Sequence, residues 1–283
     1  MAHGQPGIGC ACLLEQRKAA IDPLKAFIYL ALASLFGLPA AVLANPVSQR
    51  VLNVGYYEFA PAIYTDAQGM ARGELAELTR RVARQAGYGV RFRGLPGARL
   101  YAALENGSID LWPGAQGKPE LATHTLEGRH TLSQINLNLY RLAGTPAPRL
   151  PDDLAGKSLI LIGGYSYWPN VNALLDDPGL DLRLLRTSNH LSALEMLQRN
   201  RGDYLLDYQI PVEQARQRLR MEALPYQRLA QVPIHFIVSR HARDAATIVT
   251  ALDDAYEALR VAGEICVFTN LEHTVLELPG PQS

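Results

Sequence analysis

Few residues in this sequence have the type and setting to do chemistry. Asp207, in the run Leu205-Leu206-Asp207-Tyr208, ends an apolar stretch, where a carboxylate needs a cation, solvent or a helix to cap. The helix expected around Pro211 is the capping alternative. Ala155-Gly156-Lys157-Ser158 ends like a phosphate-binding loop, but position 151 is proline rather than glycine and the segment precedes a strand. Ser166 is followed by Tyr167-Trp168, so no Gly-x-Ser-x-Gly elbow is present. No pair among the seven histidines has His-Glu-x-x-His spacing, and His124, His130, His190, His235 and His241 read as surface or strand histidines. Asn106-Gly107-Ser108 fits a glycosylation pattern and reads better as a turn. No metal, cofactor or catalytic group is expected.

The elements that must position these residues follow from periodicity. Residues 50–54 predict a strand running into a Gly-Tyr-Tyr loop. Residues 74–85 predict a helix, with Leu75, Leu78, Val82 and Ala86 on one face and Gly87 as its stop. A strand at 90–92, a helix at 100–105 and a strand at 109–112 complete a β-α-β-α-β unit, the grammar of an open α/β sheet with ligands at the strand ends. After Thr145-Pro146-Ala147-Pro148 the grammar repeats: strand 158–162, helix 168–175, strand 183–185, helix 191–199 and strand 203–206. A strand at 232–239 and a long helix at 244–262, stopped by Gly263, suggest a chain that returns to its first unit.

Composition narrows the class. The 283 residues carry 27 Lys and Arg against 27 Asp and Glu, with 48% hydrophobic and 19% charged residues, which excludes disorder as the main state. A pI near 7.1 leaves no basic footprint, so no nucleic-acid partner is expected. Three cysteines are too few for a disulfide framework or a four-thiolate zinc site, and Cys266 reads as a buried structural thiol. Residues 26–44 form an uncharged apolar run after Arg17, Lys18 and Lys25, closed by small residues before Asn45-Pro46. That is the order of a secretory signal over 1–44, directing the chain to the periplasm; the run is also nearly long enough to stay as a membrane anchor. The segment before the run is long for a signal, as an upstream start would make it. Cys10 and Cys12 precede the run, so lipid attachment is not indicated.

Five stretches in order carry a resemblance to the bacterial extracellular solute-binding proteins of family 3, which include polar amino-acid receptors of ABC transporters. They are VLNVGYYEFAPAIYTDAQGMARGELAELTRRVARQAG at 51–87, ALENGSIDLWPG at 103–114, LPDDLAGKSLILIGG at 150–164, SALEMLQRNRGDYLLDY at 192–208 and TALDDAYEALRVAGEI at 250–265. The resemblance implies an α/β periplasmic binding protein type II fold. Lobe one would hold 45–141 and 232–283, and lobe two 142–231. Two crossing segments, near Tyr140-Arg141 and Ala230-Gln231, would let a cleft close by hinge motion on a small-molecule solute. It further implies a monomer that works with an ABC permease or, as a receptor, with a membrane sensor. Periplasmic cyclohexadienyl dehydratases share the fold, which keeps an enzymatic alternative, with Glu58 or Asp207 as its acid.

Residue by residue, the resemblance puts Phe59 where an aromatic stacks on the ligand, flanked by Tyr56, Tyr57 and Glu58. The family arginine that forks a ligand carboxylate falls at leucine or alanine near Leu121, a departure that disfavours a standard α-amino acid. Lys118 offers a point charge in its place, unless it is a solvated loop lysine. Tyr165, Ser166 and Tyr167, with Trp168, stand where a Gly-Thr turn receives an anionic group. Asp207 stands where an aspartate binds a ligand ammonium. With Trp112 and Gln116 on lobe one, such a cleft should favour a cationic or aromatic-friendly solute.

Overall fold

The computed structural model describes residues 49–265; the expected signal segment and Cys266 lie outside the described residues. In chain order the elements are β1 (Val51–Tyr56), β2 (Tyr64–Thr65), β3 (Ala71–Arg72), α1 (Glu74–Gln85), β4 (Gly89–Gly94), α2 (Gly97–Glu105), β5 (Leu111–Ala115), β6 (Thr125–Glu127) and β7 (Ser133–Tyr140). They continue with β8 (Ser158–Ile162), α3 (Pro169–Leu175), β9 (Arg183–Thr187), α4 (His190–Gln198), β10 (Tyr204–Tyr208), α5 (Gln209–Leu219), β11 (Tyr226–Ser239) and α6 (Ala245–Val261).

The strands form one mixed sheet in the order β4-β1-β5-β11-β7-β10-β8-β9, with β6 also on β11. Its two wings are parallel, β4-β1-β5 in lobe one and β10-β8-β9 in lobe two. Two antiparallel strands join them. The end of β11 pairs with β5 through Ile234–Val238, while its beginning pairs with β7 from Tyr226 onward, with a bulge between Arg228 and Ala230. β7 leaves lobe one at Ser133 and has β10 on its far side from Leu137 to Tyr140, so the expected crossing near Tyr140-Arg141 marks the end of that strand.

Local sequence explains the wings. On α1 the buried residues are Ala76, Leu78, Thr79, Val82 and Ala83, a stripe one position away from the expected one because Leu75 and Ala86 sit at its edges. Burying Leu78 and Val82 contributes about 1.5–3 kcal/mol each. Gly73 precedes the helix at φ 103, and a Cβ there would lie 2.3 Å from the Ala62 carbonyl oxygen, so only glycine turns the chain into α1 at this point. In lobe two, Ile160, Leu194, Leu197, Leu205 and Val212 pack between the sheet and α4 and α5. The last helix, α6, rests on α1 and β11, back in lobe one. Ser108 N–H donates to Asn106 Oδ1 at 3.0 Å, so Asn106-Gly107-Ser108 forms the turn its sequence suggests. Among the described residues no helix is long and apolar enough to cross a membrane.

Candidate functional site

The lobes meet along a cleft built from strand ends. Lobe one supplies the loop after β1, the start of α2 and the segment that follows β5. Lobe two supplies loop 163–168, the start of α4 and the end of β10. Phe59 is fixed by paired backbone hydrogen bonds with Ile63, 2.8 and 3.1 Å, which turn its ring toward lobe two. There it meets Tyr208 at 5.5 Å and His190 at 6.3 Å between centroids. Tyr57 stands 5.0 Å from Tyr165 across the cleft and 5.9 Å from Trp112. Trp112 also meets Tyr101 at 5.5 Å and lies back over Gly114, where a Cβ would come within 1.8 Å of the indole. Such offset and edge contacts are the favourable ones for aromatic rings. They fill the cleft floor and leave a cavity of about 40 Å³ beside Phe59, Trp112, Ser133 and Ile234.

At the centre of this aromatic floor Asp207 is 1% exposed. Both its oxygens receive the Nδ1 of His190, at 2.8 and 3.0 Å, and Oδ1 also accepts the Tyr208 N–H at 2.7 Å. His190 Nε2 in turn meets the Tyr165 hydroxyl at 3.2 Å. A chain therefore runs from Asp207 through the imidazole to a phenol. Asp207 does not cap α5, whose first turn has no side-chain cap. His190 is corrected from a scattered surface or strand histidine to the partner of Asp207, placed by its position at the start of α4.

Lys118 is 3% exposed, so the alternative of a solvated loop lysine does not hold. Its ammonium donates to the Ser166 carbonyl and lies 4.1 Å from the Trp168 ring centroid, while Trp168 Nε1–H donates to the Gln116 carbonyl at 2.9 Å. Lobe one and lobe two are thus clasped reciprocally, a cation against an indole and that indole against a backbone oxygen. Burial pushes the Lys118 ammonium down to about 8. Burial also raises the phenols of Tyr57, Tyr101, Tyr165, Tyr167 and Tyr208, so all are neutral at physiological pH. The Ser166 hydroxyl and the Tyr167 phenol oxygen are buried with no hydrogen-bond partner. Such groups are costly to leave unmade.

The other expected residues divide by place. Tyr56 belongs to the lobe-one core, with its hydroxyl on Thr65 Oγ1 at 2.8 Å and its ring edge-on to Phe92. Gln116 enters the site through its backbone carbonyl. Glu58 is exposed at the cleft mouth, where Thr65 holds it. Leu121, near the expected arginine position, is buried in the core. Sequence reasoning missed Tyr101, Tyr208 and the role of Gly97, whose replacement Cβ would meet the Gly164 carbonyl oxygen at 2.7 Å. Tyr101 follows Leu100 on the buried face of α2, a pattern that reads as core alone. Among the described residues no group of His, Cys, Asp and Glu converges as a metal site.

No protein-family model matches the chain, and no curated protein matches it in sequence. Solved structures do match. A histidine kinase sensor domain with similarity to periplasmic binding proteins is 22% identical and aligns over 76% of this chain and 92% of its own, with a TM-score of 0.64. An ancestral arginine-binding protein bound to arginine is 17% identical over 75% of this chain and 93% of its own, at 0.62. An ancestral amino-acid-binding protein, a precursor of cyclohexadienyl dehydratase, is 14% identical over 75% and 90%, at 0.60. Two parallel-sheet wings, two antiparallel crossing strands and an interlobe cleft agree with these matches, and the chain has the two-lobed α/β fold of the periplasmic binding proteins.

Proposed function

We propose that the protein is a periplasmic receptor that captures one small polar solute between its lobes and performs no chemistry on it. The observation that carries this reading is the cleft itself: aromatic rings from both lobes surround the Asp207–His190 pair, with the Ser166 and Tyr167 hydroxyls left unpartnered. A pocket of apolar walls and a few directed polar groups binds by desolvation and selects by hydrogen bonding. The solute is amino-acid-like or cationic, and it reaches a membrane partner after closure. That partner is an ABC permease in the transport reading and a sensor in the signalling one; the similarity to a kinase sensor domain supports keeping the second. The dehydratase reading is the weaker one, because the aromatic floor presents no arginine to a substrate carboxylate.

The test is a thermal-shift screen of the full chain with amino acids, polyamines, small carboxylates and prephenate. A true ligand at a hundred times its dissociation constant stabilises the folded state by about 2.7 kcal/mol. Small-angle scattering in its presence should report closed lobes. Turnover of prephenate would replace the receptor reading with the enzymatic one.

A further inference from the structure

We propose that the outer edge of lobe one, strand β4, accepts an extended segment of a partner protein in which acidic residues alternate with apolar ones. The inference goes beyond solute capture and does not depend on what the cleft holds. Residues 78–104 contain six arginines, Arg80, Arg81, Arg84, Arg91, Arg93 and Arg99, and no aspartate or glutamate. In a chain whose basic and acidic residues balance at 27 each, that is a segregated charge.

The fold gathers this charge around one edge. Among the described residues β4 ends the sheet and pairs with β1 alone. Gly89 N–H donates to the Arg50 carbonyl at 2.9 Å and Leu95 N–H to the Tyr56 carbonyl at 2.8 Å, so the odd-numbered positions spend their backbone groups on β1. The alternation of a strand then turns the N–H and C=O of Val90 and Phe92 to the open side, a template for another strand. β2 approaches the far end, where a Cβ on Gly94 would lie 3.3 Å from Thr65 Oγ1, so the open stretch runs from Val90 to Arg93.

Side chains divide by face in the same way. Arg91 and Arg93 stand opposite Asn53 and Gly55, and a Cβ on Gly55 would lie 2.3 Å from Leu100 Cδ1. Both arginines are therefore on the α2 face, with Arg99 in the first turn of that helix. Val90 and Phe92 lie half-buried on the α1 face, where the Arg80 guanidinium sits 4.6 Å from the Phe92 ring centroid. Arg80 and Arg81 pair with Glu77 and Glu264. Arg84, Arg91, Arg93 and Arg99 are exposed and, among the described residues, belong to no ion pair.

Arg91 and Arg93 are about 6.6 Å apart along the strand, the spacing of alternate residues in any extended chain. A strand added to β4 sets carboxylates on alternate residues beside both guanidiniums, while its other side chains meet Val90 and Phe92. Charged edge residues deter indiscriminate pairing, and an acidic strand is the kind that this edge admits rather than repels.

Fluorescence anisotropy of a labelled, end-blocked peptide of alternating valine and glutamate, about eight residues long, titrated with the full chain tests this. The peptide should bind, more weakly as salt rises, and its valine-lysine counterpart should bind at least about tenfold more weakly. Arg91→Glu combined with Arg93→Glu should weaken the acidic peptide by at least about tenfold. Arg201→Glu, at an exposed arginine of lobe two, should leave it unchanged. All three side chains are exposed, so an unchanged melting temperature checks folding. Bound peptide should slow hydrogen exchange at the Val90 and Phe92 amides. Absence of binding would overturn the proposal and leave the arginines as guards of a bare edge. Binding that leaves both amides unprotected, or that Arg201→Glu weakens equally, would be general charge attraction and would overturn it as well. Self-association of the full chain that the peptide reverses would put a second copy on β4 and overturn a separate partner. The receptor reading stands or falls on the thermal-shift screen, apart from all of these outcomes.

Discussion

The floor of the cleft and its mouth are made by the same two lobes and have opposite characters. The floor is packed with rings from both sides, Tyr57 on Tyr165 and Phe59 on Tyr208, leaving only about 40 Å³ empty. The mouth keeps hollows of about 490 and 330 Å³ and, at Glu58 and Arg218, side-chain charges of opposite sign. Burial of rings is non-directional and favours any closed arrangement, whereas placed charges discriminate between partners. Ring burial at the floor thus holds the two lobes together without choosing a partner, whereas charges such as those at the mouth are of the kind that choose one.

Removing the carboxylate at the floor should have the largest effect. Asp207→Ala would leave His190 without its acceptor and the Tyr208 N–H unpaired inside a ring of aromatics. Breaking such a buried pair costs about 3–5 kcal/mol, a fall in melting temperature on the order of 10 °C for a chain of this size. Asp207→Asn, which can still accept the Tyr208 N–H, should cost less than half as much. If Asp207→Ala melts like the wild type, the floor is not a packed closure surface and the comparison with the mouth fails.

The clasp gives the next effect, and its sign follows from linkage. In an open cleft Lys118 is solvated and titrates near 10.5; on closure burial brings it to about 8. Closure therefore releases a proton between these values. The closed form is strengthened as pH rises from about 8 toward 10.5, and that gain is lost as pH falls through 8. The shift corresponds to about 3 kcal/mol at most. At neutral pH the ammonium remains charged and keeps its contacts with the Ser166 carbonyl and Trp168. Scattering measurements of lobe closure at pH 7, 9 and 10 should show this trend in the wild type and not in Lys118→Met. The raised phenols act in the opposite direction above pH 10, but they are common to both proteins and cancel in the difference.

The wings of the fold were legible because their signals are local. The sequence 74–85 has helical spacing and forms α1 with those bounds, and SLILI forms β8 over Ser158–Ile162. β7 was not anticipated: SQINLNLY alternates polar and apolar residues, yet every position except Gln134 is buried, because β11 and β10 flank it on both edges. β11 begins six residues before the expected strand, since YQRLAQ takes its extended form from pairing with β7 rather than from its own composition. At the site, the resemblance singled out Phe59 and Asp207; it gave Asp207 a ligand ammonium, whereas its oxygens meet His190 and the Tyr208 N–H. It did not single out His190 and Tyr101, because each acquires its role from a residue distant in sequence, Asp207 and Trp112.

Gly97 tests whether the lobes touch through backbone at the mouth. An added Cβ would sit 2.7 Å from the Gly164 carbonyl oxygen, and a backbone atom cannot rotate away. Gly97→Ala should therefore hold the lobes slightly apart, at a cost to closure of about 1–2 kcal/mol, read as weaker solute binding with the melting temperature of the free protein almost unchanged. An unaltered affinity would mean that closure does not bring α2 against loop 163–168.

The smallest effect belongs to Asn189, which lies at the mouth but works inside one lobe. Its Oδ1 accepts the Ser192 N–H at 2.8 Å and so caps α4, the helix that carries His190 to the floor. Loss of such a cap costs about 1 kcal/mol, so Asn189→Ala should lower the melting temperature by about 2–4 °C. Asn189→Ser, which retains an acceptor, should restore most of it. The cap makes no cross-lobe contact, so the pH response assigned to Lys118 should persist unchanged in both variants, as expected for independent sites. If Asn189→Ala instead abolishes that response, the start of α4 is coupled to the clasp, and mouth and floor act as one unit rather than as a selector set above a closure surface.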